Sequence, residues 1–249
     1  MPKAKMAEAG ERAAASVAAR IAALDWSAIV SSLETHGCAV ASPLLSADEC
    51  ASLAGCYPTD ALFRSRIVMA RHGFGRGEYK YFAYPLPDLV SGLRAALYPY
   101  LAEVANRWNA AMTIATRYPP DHDSYLRRCH EAGQRRPTPL LLRYEAGDYN
   151  CLHQDIYGEH VFPLQATLLL SKPAQDFTGG EFVLTEQRPR MQSRAEVVPL
   201  RQGEAVIFPV RHRPVQGARG VYRVNMRHGV SRIRSGRRHT LGIVFHDAT

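Results

Sequence analysis

Lysine is almost missing from this chain of 249 residues, where 4 lysines stand against 27 arginines. Its positive charge is therefore carried by planar, permanently charged guanidinium forks that pair with carboxylates and phosphates through parallel hydrogen bonds. Cysteine is sparse and unpatterned. The five (Cys38, Cys50, Cys56, Cys129 and Cys151) are odd in number and lack metal-ligand spacing, which argues against a cysteine metal site and for reduced thiols in a cytosol. The first residues mix lysine with Glu8 and Glu11 and contain no continuous apolar stretch, so neither a secretory signal nor a membrane span is expected. Disorder is excluded by an apolar content of 46% and a charged content of 22%. A single domain over 1–249 with a real core follows from the length.

What charge there is lies unevenly. The net charge is +8, yet Arg188 to Thr249 alone hold 13 arginines against Glu196, Glu204 and Asp247, leaving the rest slightly acidic. A GC-rich genome explains arginine in place of lysine but not its collection in one segment. The asymmetry suggests a polyanionic partner, with solubility as the plainer alternative.

Along the chain, 1–24 is an alanine-rich, helical extension. Residues 25–138 read as a helical scaffold with a substrate lid, and 139–249 as the catalytic core. Trp26 to Leu33 form an amphipathic helix, Gly37 to Ala41 a short strand, and Ser46-Ala-Asp-Glu49 a capping box opening a helix through Cys56. Residues 61–84 interleave rings and cations: Phe63, Arg64, Arg66, Arg71, His72, Phe74, Arg76, Tyr79, Lys80, Tyr81. That pattern fits a lid that stacks on a base and touches phosphate, and equally a hairpin with its rings in the core. If it is a lid, one ring stays exposed at the mouth. Leu86 to Met112 read as a long helix, which Pro99 is expected to kink or split. Residues 117–138 read as a loop with one helical turn. Eight strands are expected, at 139–144, 149–153, 161–171, 180–185, 195–199, 204–209, 221–227 and 239–246. The fold class is therefore mainly β with flanking helices (α+β), a double-stranded β-helix, or jelly-roll, core behind a helical scaffold.

The chemistry centres on Arg143 to Asp155. His153 and Asp155 stand two apart on extended backbone, so imidazole and carboxylate point to one face. His228 offers a third ligand, and His212, His239 and His246 are rivals, none followed by an arginine ten residues on. Two histidines and a carboxylate form a facial set for Fe(II), leaving positions open for a bidentate 2-oxo acid and O₂. Arg238, across a glycine turn from His228, suits the remote carboxylate of 2-oxoglutarate. Cys151 alternates with His153 and is expected to face the same way, as small packing.

With these residues in place, His153, Asp155, His228 and Arg238 resemble the motif of the Fe(II)/2-oxoglutarate dioxygenase superfamily. The string Arg143-Tyr144-x-x-Gly147 through His153-Gln154-Asp155 is similar to the AlkB nucleic-acid dealkylases. Nearly the whole chain, with Gly73-Phe74-Gly75-Arg76-Gly77-Glu78-Tyr79-Lys80-Tyr81 and Arg227-His228-Gly-Val-Ser231, resembles a bacterial family assigned to oxidative demethylation of alkylated DNA. The resemblance implies a cytoplasmic bacterial enzyme of DNA repair that uses Fe(II), O₂ and 2-oxoglutarate. It gives Tyr144 a share of the co-substrate and makes single-stranded or flipped nucleic acid the partner. Substrate contacts are expected from Phe74, Arg76, Tyr79, Tyr81, Tyr157, Arg211 and Arg213. The chain departs from AlkB at Leu142, at Tyr157-Gly158 and at Val244, so any base reading uses other contacts. A prolyl-hydroxylase-like protein or amino-acid hydroxylase is the alternative, because fold does not fix substrate.

Overall fold

The computed structural model describes residues 14–156, 158–218 and 220–249. The chain opens with helix α1, described over Ala14–Ala22. There follow α2 (Trp26–His36), β1 (Ala39–Ala41), α3 (Ala47–Gly55), β2 (Phe63–Val68), β3 (Gly75–Arg76), β4 (Glu78–Phe82), α4 (Asp88–Ala111) and α5 (His122–Glu131). Then come β5 (Leu140–Glu145), β6 (Tyr149–His153), β7 (Leu164–Leu169), β8 (Phe177–Gly179), β9 (Phe182–Gln187) and β10 (Ser193–Val198). The last four are β11 (Ala205–Pro209), β12 (His212–Gly217), β13 (Gly220–Val230) and β14 (Ile233–Ile243).

The strands form two antiparallel sheets, the walls of a jelly roll. The major sheet runs β1-β11-β7-β14-β5-β4-β2 with β8 added on β14, and the minor sheet runs β10-β9-β13-β6-β3 with β12 added on β13. Period-two alternation sorts each strand. On β14, Arg238, Thr240 and Gly242 face the space between the sheets, whereas Leu241 and Ile243 join the helices in the larger core cluster. That cluster is covered by α4, whose Val90, Leu93, Leu97, Leu101, Val104 and Trp108 are all buried. Each of these leucines contributes about 1.5–3 kcal/mol by leaving water.

The capping box at Ser46 forms as expected, Ser46 Oγ accepting from Glu49 N–H and Glu49 accepting from Ser46 N–H. Of the two outcomes expected at Pro99, a split does not occur: α4 runs through it, with Pro99 and Ala95 both on the exposed side. Two expectations need correction. Residues 117–138 hold a ten-residue helix, α5, capped by Asp121 and packed against α4 through Tyr125 and Cys129. Beyond the eight strands expected from residue 139, β8 and β12 are additional. All five cysteines are free. Among the described residues no single helix is long and apolar enough to cross a membrane; Ala14–Ala22 and Trp26–His36 qualify by length and composition only as a pair bent by 72°.

Residues 61–84 form a hairpin. β2 pairs with β4 and β4 with β5, extending the major sheet, while β3 crosses to the edge of the minor sheet beside β6. The segment thus straps one side of the space between the sheets.

Candidate active site

His153 and His228 are direct cross-strand partners on β6 and β13, and their rings sit 4.2 Å apart between centroids. Asp155 follows the end of β6, with Oδ1 3.4 Å from His153 Nε2 and Oδ2 3.3 Å from His228 Nε2. One ligand atom from each of the three lies within 4.8 Å of the others, a group able to hold a metal ion. The tautomer of His153 is fixed locally. Its Nδ1 lies 2.8 Å from Cys151 O, which only accepts, so Nδ1 carries the proton and Nε2 presents a lone pair. A lone pair and a carboxylate oxygen then face each other across 3.4 Å, a contact that needs a cation or a proton between them. Without a metal the proton fills this role. Burial draws the His153 pKa down, but Asp155 outweighs it and leaves it above the ordinary histidine value. Burial would raise Asp155, yet hydrogen bonds from both histidines hold it well below the carboxylate range. His228, more deeply enclosed and beside His153, is pushed down.

Gln165, on β7 of the opposite sheet, places its amide nitrogen 2.8 Å from Asp155 Oδ2 and 3.2 Å from His228 Nε2. One amide therefore bridges two candidate ligands and fixes the carboxylate plane. Gln154, also on the wall of the site, donates to Met226 O.

Behind the three lies a cavity of about 210 Å³, walled by Tyr79, Tyr81, Leu142, Val230 and Val244 and including Asn150, Thr167 and Thr240. Tyr144 lines this cavity, and Arg238, its direct cross-strand partner on β14, lies beside it with the guanidinium carbon 5.7 Å from the Tyr144 ring centroid. Both are essentially inaccessible to water, and Tyr144 Oη and Arg238 Nε and Nη1 have no hydrogen-bond partner. Burial pushes the Arg238 guanidinium down to about 10 and the Tyr144 phenol up to about 12. A buried cation with unused donors beside an unused hydroxyl is costly unless an anion completes it. This donor set fits the distal carboxylate of 2-oxoglutarate, and the three facing ligands fit Fe(II). Gly180 makes room: a Cβ there, at φ +66°, would lie 2.2 Å from Ile233 Cδ1 and 3.0 Å from Arg238 Cδ.

Sequence reasoning missed Asn150, Gln165, Thr167 and Thr240. Gln165 and Thr167 had a usable signal, two polar residues two apart in the apolar run Leu164–Leu169. Asn150 had none. β6 carries one extra residue opposite β13, so Asn150 and His153, three apart, both face inward. The same bulge turns Cys151 and Leu152 outward together, correcting the expected orientation of Cys151. It closes over Gly229, where a Cβ would stand 2.7 Å from Asn150 O.

Of the expected substrate residues, Tyr79 and Tyr81 line the cavity in an edge-to-face pair at 5.4 Å. Phe74 is 46% exposed at the same cavity and stacks on His72 at 5.3 Å, meeting the condition set for a lid. Arg76 and Arg211 are exposed. Arg213 is not available: it is enclosed, ion-paired to Glu186 and donating to Glu34 O at the end of α2. Tyr157 lies outside the described residues. The rival histidines are elsewhere, His246 enclosed with Nδ1 accepting from Phe162 N–H and His239 beside Tyr57.

Comparison with known proteins agrees with this geometry. A protein of Mycobacterium tuberculosis strain H37Rv, described as uncharacterized, is 48% identical over 167 residues, covering 67% of this chain and 72% of its own. An oxidoreductase of the 2-oxoglutarate–Fe(II) oxygenase family from Burkholderia pseudomallei superposes with a TM-score of 0.52 at 13% identity, over 90% of this chain and 92% of that one. A Trichoplax adhaerens prolyl hydroxylase, solved with a hypoxia inducible factor peptide, gives a TM-score of 0.56 at 13% identity, over 97% and 92%. At such identities the two structures speak for the fold. The family model described as an oxygenase catalysing oxidative methylation of damaged DNA matches residues 77–248. The chain belongs to that oxygenase family, on a fold it shares with a 2-oxoglutarate–Fe(II) oxygenase.

Proposed function

We propose that the protein removes alkyl groups oxidatively from damaged nucleic acid, as a repair enzyme of the bacterial cytoplasm. His153, Asp155 and His228 would hold Fe(II), and Arg238 with Tyr144 the distal carboxylate of 2-oxoglutarate. The observation that carries the reading is the unpaired Arg238 beside Tyr144, on the same inner wall that faces the three ligands. Bound iron with 2-oxoglutarate and O₂ supplies the oxidising chemistry, a C–H bond being hydroxylated as the co-substrate is converted to succinate and CO₂. An N-methyl group hydroxylated in this way collapses to free base and aldehyde.

The chain supplies the setting. Gln165 keeps Asp155 in one orientation, and Cys151 O keeps the His153 lone pair turned inward. Leu142, Val230 and Val244 keep the cavity apolar and short of water. Phe74 at the mouth, with Tyr79 and Tyr81 inside, offers ring faces to an extruded base. Such a stack is worth about 1–3 kcal/mol by truncation. Arg76 and Arg211 would meet phosphates.

The test incubates the Fe(II)-loaded protein with 2-oxoglutarate and either methylated single-stranded oligonucleotides or proline-containing peptides, following succinate and product mass. The expected result is loss of a methyl mass from the oligonucleotide. His153→Ala should abolish the visible charge-transfer band of the anaerobic Fe(II)–2-oxoglutarate chelate. Arg76→Ala should make the log–log salt slope of strand binding shallower by about 0.7 for each phosphate that Arg76 neutralises. Phe74→Ala should weaken binding at unchanged slope. Hydroxylated peptide with no oligonucleotide turnover would move the protein to the protein-hydroxylase reading.

A further inference from the structure

Arg64 owes its position to a bulge. Phe63 pairs with Phe82 and Ser65 with Tyr81, two steps along β2 against one along β4, so Arg64 is the extra residue. A bulge re-aims the side chain it carries. Here the guanidinium lies over the Tyr81 ring, 4.5 Å from the centroid, and Arg64 Nε donates to Pro137 O at 2.8 Å. The residue before Pro137 is the exposed Arg136, whose backbone exchanges both hydrogen bonds with Ala248. Gln134 donates to His160 O and accepts from His160 N–H, which ties this segment to the loop that follows Asp155. Two guanidinium groups are therefore anchored on one short segment beside the site.

Like charges held together in this way favour an anion between them. Burial lowers the Arg64 pKa, Tyr81 opposes that, and the charge of Arg136 lowers it further. Asp247, the acid whose charge reaches Arg64, is enclosed and already engaged by Arg94, Tyr84 and His130. Among the described residues neither Arg64 nor Arg136 has a carboxylate at ion-pair distance. With Nε on Pro137 O, the fork of Nη1 and Nη2 is what Arg64 can offer a ligand.

The location names the ligand. Tyr81 lines the cavity behind the three facing ligands and Arg64 does not, so the cation backs a ring of the cavity wall. Arg64 lies on β2, the edge of the major sheet, and Arg76 on β3, the edge of the minor sheet. A single strand crossing between these edges brings one phosphate to each. A phosphodiester has two non-bridging oxygens that two forks can share, and an arginine already stacked on a ring loses little freedom in binding.

We propose that Arg64 and Arg136 form a phosphodiester site beside Tyr81, holding the strand on the side of the extruded base away from Arg76. The inference rests on the nucleic-acid reading above.

The probes are short single strands with one 3-methylthymine. The phosphodiester on its 5′ side, on its 3′ side or on neither is replaced by a neutral methylphosphonate. Binding to the full, metal-free chain is read by fluorescence anisotropy across a salt series. Arg64→Met and Arg136→Met, which keep an unbranched stem, should each weaken the unmodified strand at least threefold. Together they should make the log–log salt slope shallower by about 0.7, the share of one phosphate. Against one of the two modified strands these changes should cost almost nothing, and Arg76→Ala should lose its effect against the other. If circular dichroism shows Arg64→Met unfolded, the exposed Arg136→Met carries the test. Equal losses on all three strands, or a salt slope that neither change moves, overturns the site. A strand that still binds and loses its methyl group in that case leaves the nucleic-acid reading standing. Failure of every strand to bind overturns both.

Discussion

Among the described residues three arginines are completely enclosed, and their surroundings differ in one respect. On the helix side of the major sheet, Arg94 reaches Asp247 Oδ1 at 2.7 Å and Val244 O at 2.8 Å, and Asp247 also accepts from Tyr84 and faces His130. At the end of α2, Arg213 is paired with Glu186. Between the sheets, Arg238 has no carboxylate within ion-pair distance among the described residues, and two of its nitrogens have no acceptor. The first two charges are completed by the fold. The third has no such partner among the described residues. Buried ions are paired as a rule, so the exception supports the co-substrate role proposed for Arg238.

Breaking the completed pair should have the largest effect on folding. Arg94→Met strands the enclosed Asp247 carboxylate and should cost about 3–5 kcal/mol in urea unfolding. Adding Asp247→Leu should recover most of that loss. Arg238→Met should do the reverse: it removes a desolvated charge with no protein partner, so stability should hold or rise. The 2-oxoglutarate midpoint should meanwhile weaken by roughly 2–5 kcal/mol while Fe(II) still binds. Equal destabilisation by the two arginine changes would mean that Arg238 has a structural partner, and the contrast would collapse.

How much of this was legible depended on whether the signal was local. The capping box at Ser46, the long apolar stripe of α4 and the strand alternation of 139–144 are set by neighbours in sequence, and they form where expected. His153 and Asp155 could be placed on one face for the same reason. The pairing of Arg238 with Tyr144 needs strand register, which a single sequence does not carry. Asn150 was hidden by a bulge that breaks the period-two rule on which its orientation would be read. Arg213 was misread because counting arginines does not separate cations facing solvent from one enclosed with Glu186. Gln165 shows the opposite failure: its pattern was visible, but nothing in the sequence said that β7 would stand across from the triad.

The smallest effect contrasts the histidines of the same two regions. On the helix side, burial lowers His122 to about 3 and His246 to about 4. Burial first, and then the nearby Arg94 charge, holds each neutral; at His122 the Phe245 carbonyl opposes the shift without reversing it. His122 Nε2 faces the Phe245 carbonyl, and His246 Nδ1 accepts from Phe162 N–H, so a second proton on His246 would meet another donor. Their folded pKa values lie below the unfolded value of about 6.5, so the unfolded chain binds more protons as pH falls. The stability they confer is therefore intact above about pH 6.5 and declines progressively toward pH 4 and then 3, by about 2 kcal/mol per histidine at pH 5. His153 has the opposite sign in the metal-free protein. Its raised pKa favours folding below the unfolded value and loses that contribution as pH rises, while Fe(II) binding, which needs the proton removed, improves. His246→Gln should flatten the fall of urea midpoint between pH 7 and pH 5 and leave the pH dependence of Fe(II) affinity unmoved. His153→Ala should instead steepen that fall in the metal-free protein, because it removes a contribution of the opposite sign. A midpoint that stays level from pH 7 to pH 5 in the unaltered protein would show that His122 and His246 are protonated without cost and are not buried neutral in solution.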